Sequence, residues 1–425
     1  MLMKEQESRG GRRTKASASG RPDWPWYSYP LWYLAYALLW LWAKLCFRFS
    51  YAYGPGVKEA LRSDEPILLL GNHQSFIDPL FVMVALKARP IRFVVGYFLA
   101  HVSKYKILMR ALRAIPIQQF TPDPVALRQI LHALKNKERV LLFPEGQRSI
   151  DGSTCPMDFA ILKVATKADA CVITVKLSGA YQAWPRWLQG PHRRGKVEAR
   201  LEVLARATEW PDRDRNAWRQ AFLDRLAYND PAWADANKLR YRSRRALQGL
   251  DLVLHACPAC GRPEVMEAEG WWLKCQTCGA SYQFTSNYLI SASQVPQAAP
   301  HSKPSSIVDW HQWQIQEEGR TWQIFKESLP VTYEDVGPNA EKSASGKESG
   351  YLYFNGQACY LASAGHNLRL PLRPGNLLMF SQGAYIQVTC QDKLLRIYPQ
   401  YPQQVIRLVD LSLYLHAVHA KHKNT

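Results

Sequence analysis

Between residues 60 and 205, short apolar runs alternate with amphipathic stretches, and that alternation leaves few architectures open. The runs at 67–70, 91–95, 115–117, 140–143, 172–177 and 197–204 read as strands, and 79–86, 103–113, 124–135 and 159–166 read as helices. Runs that are apolar throughout belong in a sheet covered on both faces, so the order predicts an α/β domain with a largely buried sheet. Helical, mixed-charge sequence continues over 212–248, with a basic stretch at 238–245 expected as a solvated or lipid-facing helix. The domain is therefore expected to span 51–250.

Two of the predicted strands end in segments that carry chemistry. In ILLLGNHQSFIDPLF, strand 67–70 runs into Asn72 and His73, and Asp78-Pro79 opens a helix. Asp before a proline at the first helical position is an ordinary helix start, and a loop histidine is ordinarily satisfied by backbone. Five residues apart on one helix, the two side chains would diverge by about 140°. With His73 on the loop before the helix, however, the turn can fold it back onto Asp78. A carboxylate on one imidazole nitrogen fixes the tautomer, and the other nitrogen can take a proton from a hydroxyl. The second segment is VLLFPEGQRS at 140–149: a strand, a tight Pro144-Glu145-Gly146 turn, then Arg148 and Ser149. An arginine and a hydroxyl beside free backbone N–H groups suit a phosphate, although Glu145 and Arg148 could equally form a structural ion pair.

NHQSFID and FPEGQRS together resemble the first and third motifs of the glycerolipid acyltransferases, of which 1-acylglycerol-3-phosphate acyltransferase is the type member. The resemblance covers roughly residues 30–205 and includes ACVITVKLSGAYQAWP, which is similar to the fourth motif. It implies His73 as general base, Asp78 as its orienting partner, and Asn72, Glu145, Gly146, Arg148 and Ser149 as acceptor-binding residues. It further implies transfer of a fatty acyl chain from acyl-CoA or acyl carrier protein to a lysophospholipid hydroxyl. The family's second motif ends in an arginine where this chain has Gln119, and Thr174 stands where the fourth motif often has proline. Loss of that arginine also occurs in the branch acting on lysophosphatidylethanolamine, which makes this lipid the alternative acceptor. The hydroxyl attacks directly, so Cys155 and Cys171 are expected as buried apolar residues rather than nucleophiles. No Gly-x-Ser-x-Gly elbow accompanies these motifs, which argues against a serine hydrolase.

The net charge of +19 supports the same reading. Residues 1–250 hold 40 Lys+Arg against 21 Asp+Glu, and residues 251–425 hold 14 against 14, so all the excess lies with the motifs. Residues 1–23 read as a disordered basic tail. Residues 24–50 follow as an aromatic-rich membrane helix with five Trp, four Tyr and no charge over the 20 positions from 24 to 43. Pro25 and Pro30 shorten its uninterrupted part, and Trp and Tyr prefer the headgroup zone, which favours a helix lying in one leaflet over one that spans. A buried Trp-rich core helix is the plainer alternative. The location expected is the cytoplasmic face of a membrane, such as a bacterial inner membrane.

Beyond residue 250, Cys257-x2-Cys260 and Cys275-x2-Cys278 are separated by fourteen residues, and Gly261 and Gly279 follow the pairs. That is the spacing of a structural zinc ribbon, expected over 251–290, with a pair of disulfides as the alternative. Zinc ribbons also occur in nucleic-acid-binding proteins and scaffolds. A neutral ribbon half lacks the clustered Lys and Arg that phosphate backbones require, so no nucleic acid is expected. A polar linker is expected over 291–306 and a β-rich domain over 307–425, either a sandwich or similar in outline to PH/GRAM modules. Its role is open, including docking of an unknown protein partner.

Overall fold

The computed structural model describes residues 28–87, 90–101, 103–119, 123–188, 191–210, 214–243, 245, 247–296, 303–325, 328–335, 346–355, 358–364, 366–371, 378–380, 385–390 and 393–423. The expected basic tail and Trp24, Trp26 and Tyr27 of the aromatic segment lie outside the described residues. Within the rest of that segment, Ser50 already belongs to a strand, and Ser28–Phe47 form helix α1. Its Ala43 and Phe47 are buried, and the Trp42 and Phe47 rings pack on Phe81 at 6.4 and 5.3 Å. Leu34, Leu38, Leu41 and Leu45, spaced by four, three and four, form an exposed stripe. Among the described residues no helix is long and apolar enough to cross a membrane.

The first sheet contains β1 (Ser50–Tyr53), β2 (Ile67–Gly71), β3 (Arg92–Gly96), β4 (Ile115–Ile117), β5 (Arg139–Leu142), β6 (Cys171–Ser178) and β7 (Glu198–Ala205), in the order β1-β7-β6-β2-β5-β3-β4. From β6 to β4 neighbouring strands are parallel, whereas β7 runs antiparallel to β6 and carries β1 parallel to itself. All five residues of β2 are buried, which is why its sequence is apolar without alternation. Helices α2 (Val57–Arg62), α3 (Asp78–Ala85), α4 (Tyr97–His101), α5 (Ser103–Ala111), α6 (Pro124–Lys135), α7 (Ala160–Lys167), α8 (Ala180–Ala183), α9 (Arg215–Leu226) and α10 (Asp230–Ala236) complete this part. The α/β class and the position of each expected strand agree with the sequence reading to within a residue or so. The described residues of the basic stretch 238–245 form no helix. Tyr241 is buried there, its hydroxyl bonded to the Lys196 carbonyl, and the Arg242 backbone pairs with that of Arg194. A buried aromatic anchor and a β-bridge to a distant segment outweigh local helix propensity.

Four antiparallel strands follow, β8 (Met266–Glu269), β9 (Trp272–Cys275), β10 (Ser281–Phe284) and β11 (Ile290–Gln294), in the order β11-β10-β9-β8. The first residues of the expected linker thus extend this small sheet. The C-terminal part begins with α11 (Ile307–Phe325). It continues through β12 (Ser328–Asp335), β13 (Glu348–Phe354), β14 (Cys359–Ser363), β15 (His366–Leu370), β16 (Leu378–Phe380), β17 (Tyr385–Cys390) and β18 (Lys393–Pro399), and closes with α12 (Pro402–Lys423). Two meanders join through β12 and β18, giving one hydrogen-bonded sheet, β15-β14-β13-β12-β18-β17-β16.

The parts share a core. Ile150, Tyr181, Trp187 and Leu188 of the first part pack in one cluster with Leu273, Tyr282 and Phe284 of the small sheet and with Trp310, Leu408 and Leu411. Arg193, fully buried, donates to the carbonyls of Gln182, Tyr241 and Ser286 at 3.1, 2.9 and 2.6 Å and lies 4.6 Å from the Tyr288 ring centre. Burying a guanidinium is costly unless its donors find acceptors, and here both terminal nitrogens do so on segments of the two parts, which ties them together.

Candidate active site

Strands β5, β2 and β6 are parallel neighbours, so the loops leaving their carboxyl ends emerge along one edge of the sheet, the usual place for a ligand in a parallel sheet. These loops carry His73 after β2, the Glu145–Arg148 turn after β5, and Trp184–Leu188 after β6 and α8.

Asp78 organises the first loop. Its Oδ2 accepts from His73 Nδ1 at 2.8 Å and from the backbone N–H groups of Gln74 and Ser75 at 2.6 and 2.7 Å. Asp78 is buried, whereas His73 keeps 21% of its side chain exposed. The His73 ring stacks on Phe143 at 4.4 Å between centroids, and a Cβ on Gly71 would lie 2.8 Å from that Phe143 ring. Glycine at 71 therefore lets the two motif loops close on each other. Nδ1–H directed at Asp78 leaves Nε2 as the free base. Burial, together with the nearby Arg148 and Arg186 charges, holds the imidazole below its ordinary value of 6.5, although Asp78 pulls it up. The base is therefore neutral at pH 7. The acid limb of kcat/KM is expected below pH 6.5 and should move lower still in Asp78→Asn, which removes the upward pull. A limb above 6.5 in the parent protein contradicts this geometry.

The second loop is braced from several sides. Glu145 is buried and accepts from His73 N at 2.6 Å, Cys155 N at 3.0 Å and the Tyr228 hydroxyl at 2.9 Å. Burial pushes its carboxyl up to about 8 despite these donors. Glu145 thus ties the second loop to the first. Gly146 has φ +66°, the left-handed region that glycine enters without penalty. Its carbonyl accepts from the Gln119 side-chain amide, so Gln119 braces the turn. The Ser149 N–H donates to the His73 carbonyl at 2.9 Å, while its buried hydroxyl accepts from Gly152 N at 3.0 Å and donates to the Ser153 carbonyl at 2.7 Å. Asn72 joins the ends of β2 and β6 through both amide atoms, at 2.9 and 2.7 Å from Leu177 O and N. Arg148 is only partly buried, with its guanidinium 5.8 Å from the centroid of the exposed Phe76 ring. The Cys155 thiol is pushed well above its usual range by burial and by Glu145, which leaves it a poor nucleophile.

A further cation, missed in the sequence, comes from the third loop. The Trp184 carbonyl accepts from the Ser75 hydroxyl at 3.0 Å, and the Trp187 indole donates to the Tyr181 hydroxyl at 2.9 Å, so both ends of Trp184-Pro185-Arg186-Trp187 are anchored. Burial and the neighbouring Arg148 charge lower the Arg186 guanidinium to about 9. Arg186 thus adds a second positive charge near Arg148 and His73. Arg186 directly follows the ACVITVKLSGAYQAWP stretch at 170–185, but one arginine among tryptophans has no diagnostic spacing. Among the more distant supports, Asp230 accepts from Gly179 N, Gln182 N and the Gln74 amide at 2.7, 3.1 and 3.2 Å, holding α8 against the His73 loop.

The four ribbon cysteines also converge. Their sulfurs lie within 4.8 Å of one another, with Cys257–Cys278 and Cys260–Cys275 at 3.7 and 3.8 Å. A disulfide needs about 2.05 Å. Tetrahedral sulfurs about 2.3 Å from a zinc ion stand roughly 3.8 Å apart, so the donor set fits that ion. Gly261 and Gly279 have φ +70° and +73°, and their N–H groups return to the Cys257 and Cys275 carbonyls at 2.8 and 3.1 Å, making the two knuckles.

Residues 56–178 match the family described as Acyltransferase. This segment is an acyltransferase-family domain. Over 146 residues the chain is 27% identical to a chloroplastic 1-acyl-sn-glycerol-3-phosphate acyltransferase of Arabidopsis thaliana, covering 33% of this chain and 40% of that one. A chloroplastic enzyme of the same name from Brassica napus is also 27% identical, with 33% and 41% covered. The chain thus spans about two fifths of the length of these relatives. The crystal structure of the 1-acyl-sn-glycerophosphate acyltransferase of Thermotoga maritima superposes with a TM-score of 0.38 at 20% identity, over 51% of this chain and 82% of that one. The acyltransferase domain contains both motif loops, while Arg186 and the four-cysteine cluster lie beyond the matched segment.

Proposed function

We propose that the protein is an O-acyltransferase that moves a fatty acyl chain from a thioester, acyl-CoA or acyl carrier protein, to the free hydroxyl of 1-acylglycerol-3-phosphate. The observation that carries this reading is the His73–Asp78 pair at 2.8 Å, with the Arg148 and Arg186 charges close enough to act on the His73 ring. His73 Nε2 takes the proton of the acceptor hydroxyl while Nδ1–H remains on Asp78. The acceptor oxygen forms a bond to the thioester carbonyl carbon, and the C–S bond then breaks as the tetrahedral intermediate collapses. The imidazolium returns its proton to the departing thiolate, so no acyl-enzyme forms. Arg148 and Arg186 hold the acceptor phosphate, and Arg186 supplies a cation in a site where Gln119 offers none.

Arg148→Ala and Arg186→Ala are each expected to raise the acceptor KM by roughly 30- to 150-fold, the equivalent of about 2–3 kcal/mol for a charged contact. Donor KM should hardly change. Steady-state kinetics with 1-acylglycerol-3-phosphate and, in parallel, lysophosphatidylethanolamine would decide the head group. A parent enzyme that prefers the ethanolamine lipid overturns the phosphate-monoester assignment and favours the alternative.

The same proposal places the enzyme on a membrane surface, with the exposed leucine stripe of α1 entering the apolar boundary and the basic excess meeting anionic headgroups. Phe76 (45% exposed), Ile107 (80%) and Leu108 (51%) offer further apolar contact on the catalytic part. The named relatives are chloroplastic, so the reading commits to a lipid surface and not to one compartment. The four-cysteine cluster would hold a structural zinc ion. The single two-meander sheet with its closing helix favours a PH/GRAM-like module over a two-sheet sandwich for 307–425.

A further inference from the structure

Helix α11 of the C-terminal part reaches the phosphate-binding loop through one buried histidine. His311 lies between two carboxylates, with Nδ1 2.9 Å from Asp151 Oδ2 and Nε2 2.9 Å from Asp410 Oδ1. A ring bonded to a carboxylate at each nitrogen donates from both, and is therefore an imidazolium. Burial pulls its pKa down, but Asp410 and the hydrogen bonds to both carboxylates outweigh that and push it up to about 10. Asp410 lies on α12 and is held by the Gln314 amide at 2.7 Å, with His255 Nε2 3.7 Å away. One turn away on α12, Arg407 pairs with Glu318 and Glu264, both at 2.7 Å.

Asp151 is the only member of this cluster in the acyltransferase domain, and it sits two residues after Ser149. Its Oδ1 accepts from Ser153 N and Oγ at 2.8 and 2.7 Å and lies 3.5 Å from Ser149 Oγ. Ser149 in turn donates its N–H to the His73 carbonyl at 2.9 Å. Thus Asp410, His311, Asp151, Ser149 and His73 form a continuous chain of contacts from the closing helix to the base. A buried ion triad is a weak means of gaining stability, since apolar residues of the same volume do as well, but it fixes a single register.

We propose that the C-terminal part completes the catalytic site. His311 is a positioning residue whose bridge from Asp410 to Asp151 sets the 145–153 loop, and with it Arg148, for the acceptor's phosphate. The inference rests on the function proposed above. It gives residues 307–425 a task inside the enzyme itself.

Full-length His311→Gln is the test, with Arg407→Met as its control, because the latter breaks neighbouring buried ion pairs without touching Asp151. In His311→Gln the acceptor KM should rise about tenfold or more, as expected for a displaced binding group, with donor KM unchanged. Backbone amides of Ser149, Gly152 and Ser153 should exchange hydrogen faster. Arg407→Met should lose thermal stability while keeping the acceptor KM and the exchange of those amides. If the two variants behave alike, or if His311→Gln leaves both readouts unchanged, the C-terminal part is only a brace and the inference fails. Should His311→Gln not fold, Asp410→Asn carries the same two readouts. A parent protein that acylates no lysophospholipid sinks the functional proposal, and exchange at 149–153 then still decides the loop-setting role.

Discussion

Replacing His73 by alanine is expected to lower acyl transfer to 1-acylglycerol-3-phosphate by about a hundred- to ten-thousand-fold, the range that a positioned general base contributes. The fold should survive, because the bond from the His73 N–H to Glu145 at 2.6 Å is made by backbone and persists in the variant. What is lost structurally is the 2.8 Å bond to the buried Asp78 and the ring stack on Phe143, the stack being worth about 0.5–1.5 kcal/mol. Thermal unfolding and turnover measured on the same preparation therefore separate the two effects. Asp78→Asn should approach the same loss by another route. An amide can still accept from Gln74 and Ser75, but it no longer offers His73 the carboxylate charge that holds Nδ1–H and stabilises the imidazolium. Turnover in His73→Ala within a few-fold of the parent would remove the general base from the mechanism.

Loss of the metal is expected to have the larger effect on stability. Structural zinc sites of this type supply on the order of 10–16 kcal/mol of apparent binding free energy, more than the net stability of most domains. Purified protein should carry one zinc ion per chain, and joint replacement of Cys257, Cys260, Cys275 and Cys278 by serine should abolish it. The damage should not stay in the ribbon. Cys257, Cys275 and Leu273 share a core cluster with Trp187, which anchors the Arg186 segment, and with Trp310 on α11. Chelation should therefore lower the melting temperature and the acyl-transfer rate together. Metal analysis that finds no zinc in active protein, or full activity after stripping, refutes the assignment.

Much of the first part was legible in the sequence because its determinants are local. A continuous apolar run such as Ile67–Gly71 belongs to a central parallel strand, and Asp78-Pro79 starts a helix wherever it occurs. The C-terminal part was read less completely. Strand β12 has no clear local signature, since Pro330 argues against a central strand, yet β12 pairs on both sides. Its pairing with β18 begins only at Val331, so the missing N–H of Pro330 leaves no ladder bond unmade on that side. Residues 238–245 failed in the opposite sense, with local charge pattern overruled by the buried Tyr241. At the site, Asn72, Glu145 and Ser149 were found by motif, but the geometry engages their polar atoms largely within and between the loops.

By itself, the sequence determined the α/β class, the His73–Asp78 and Glu145–Arg148 loops and the four cysteines. Each is encoded by periodicity or by spacing over a few residues, and a short segment carries all the information needed. Only the tertiary structure decided that Arg186 joins Arg148, that Gln119 braces the Gly146 turn, and that His311 reaches Asp151 across 160 positions of sequence. Contacts of that kind depend on which strands are neighbours and on which helix covers them. They leave no local period, because their geometry exists only once β5, β2 and β6 have lined up and α11 has packed beside Ile150 and Asp151.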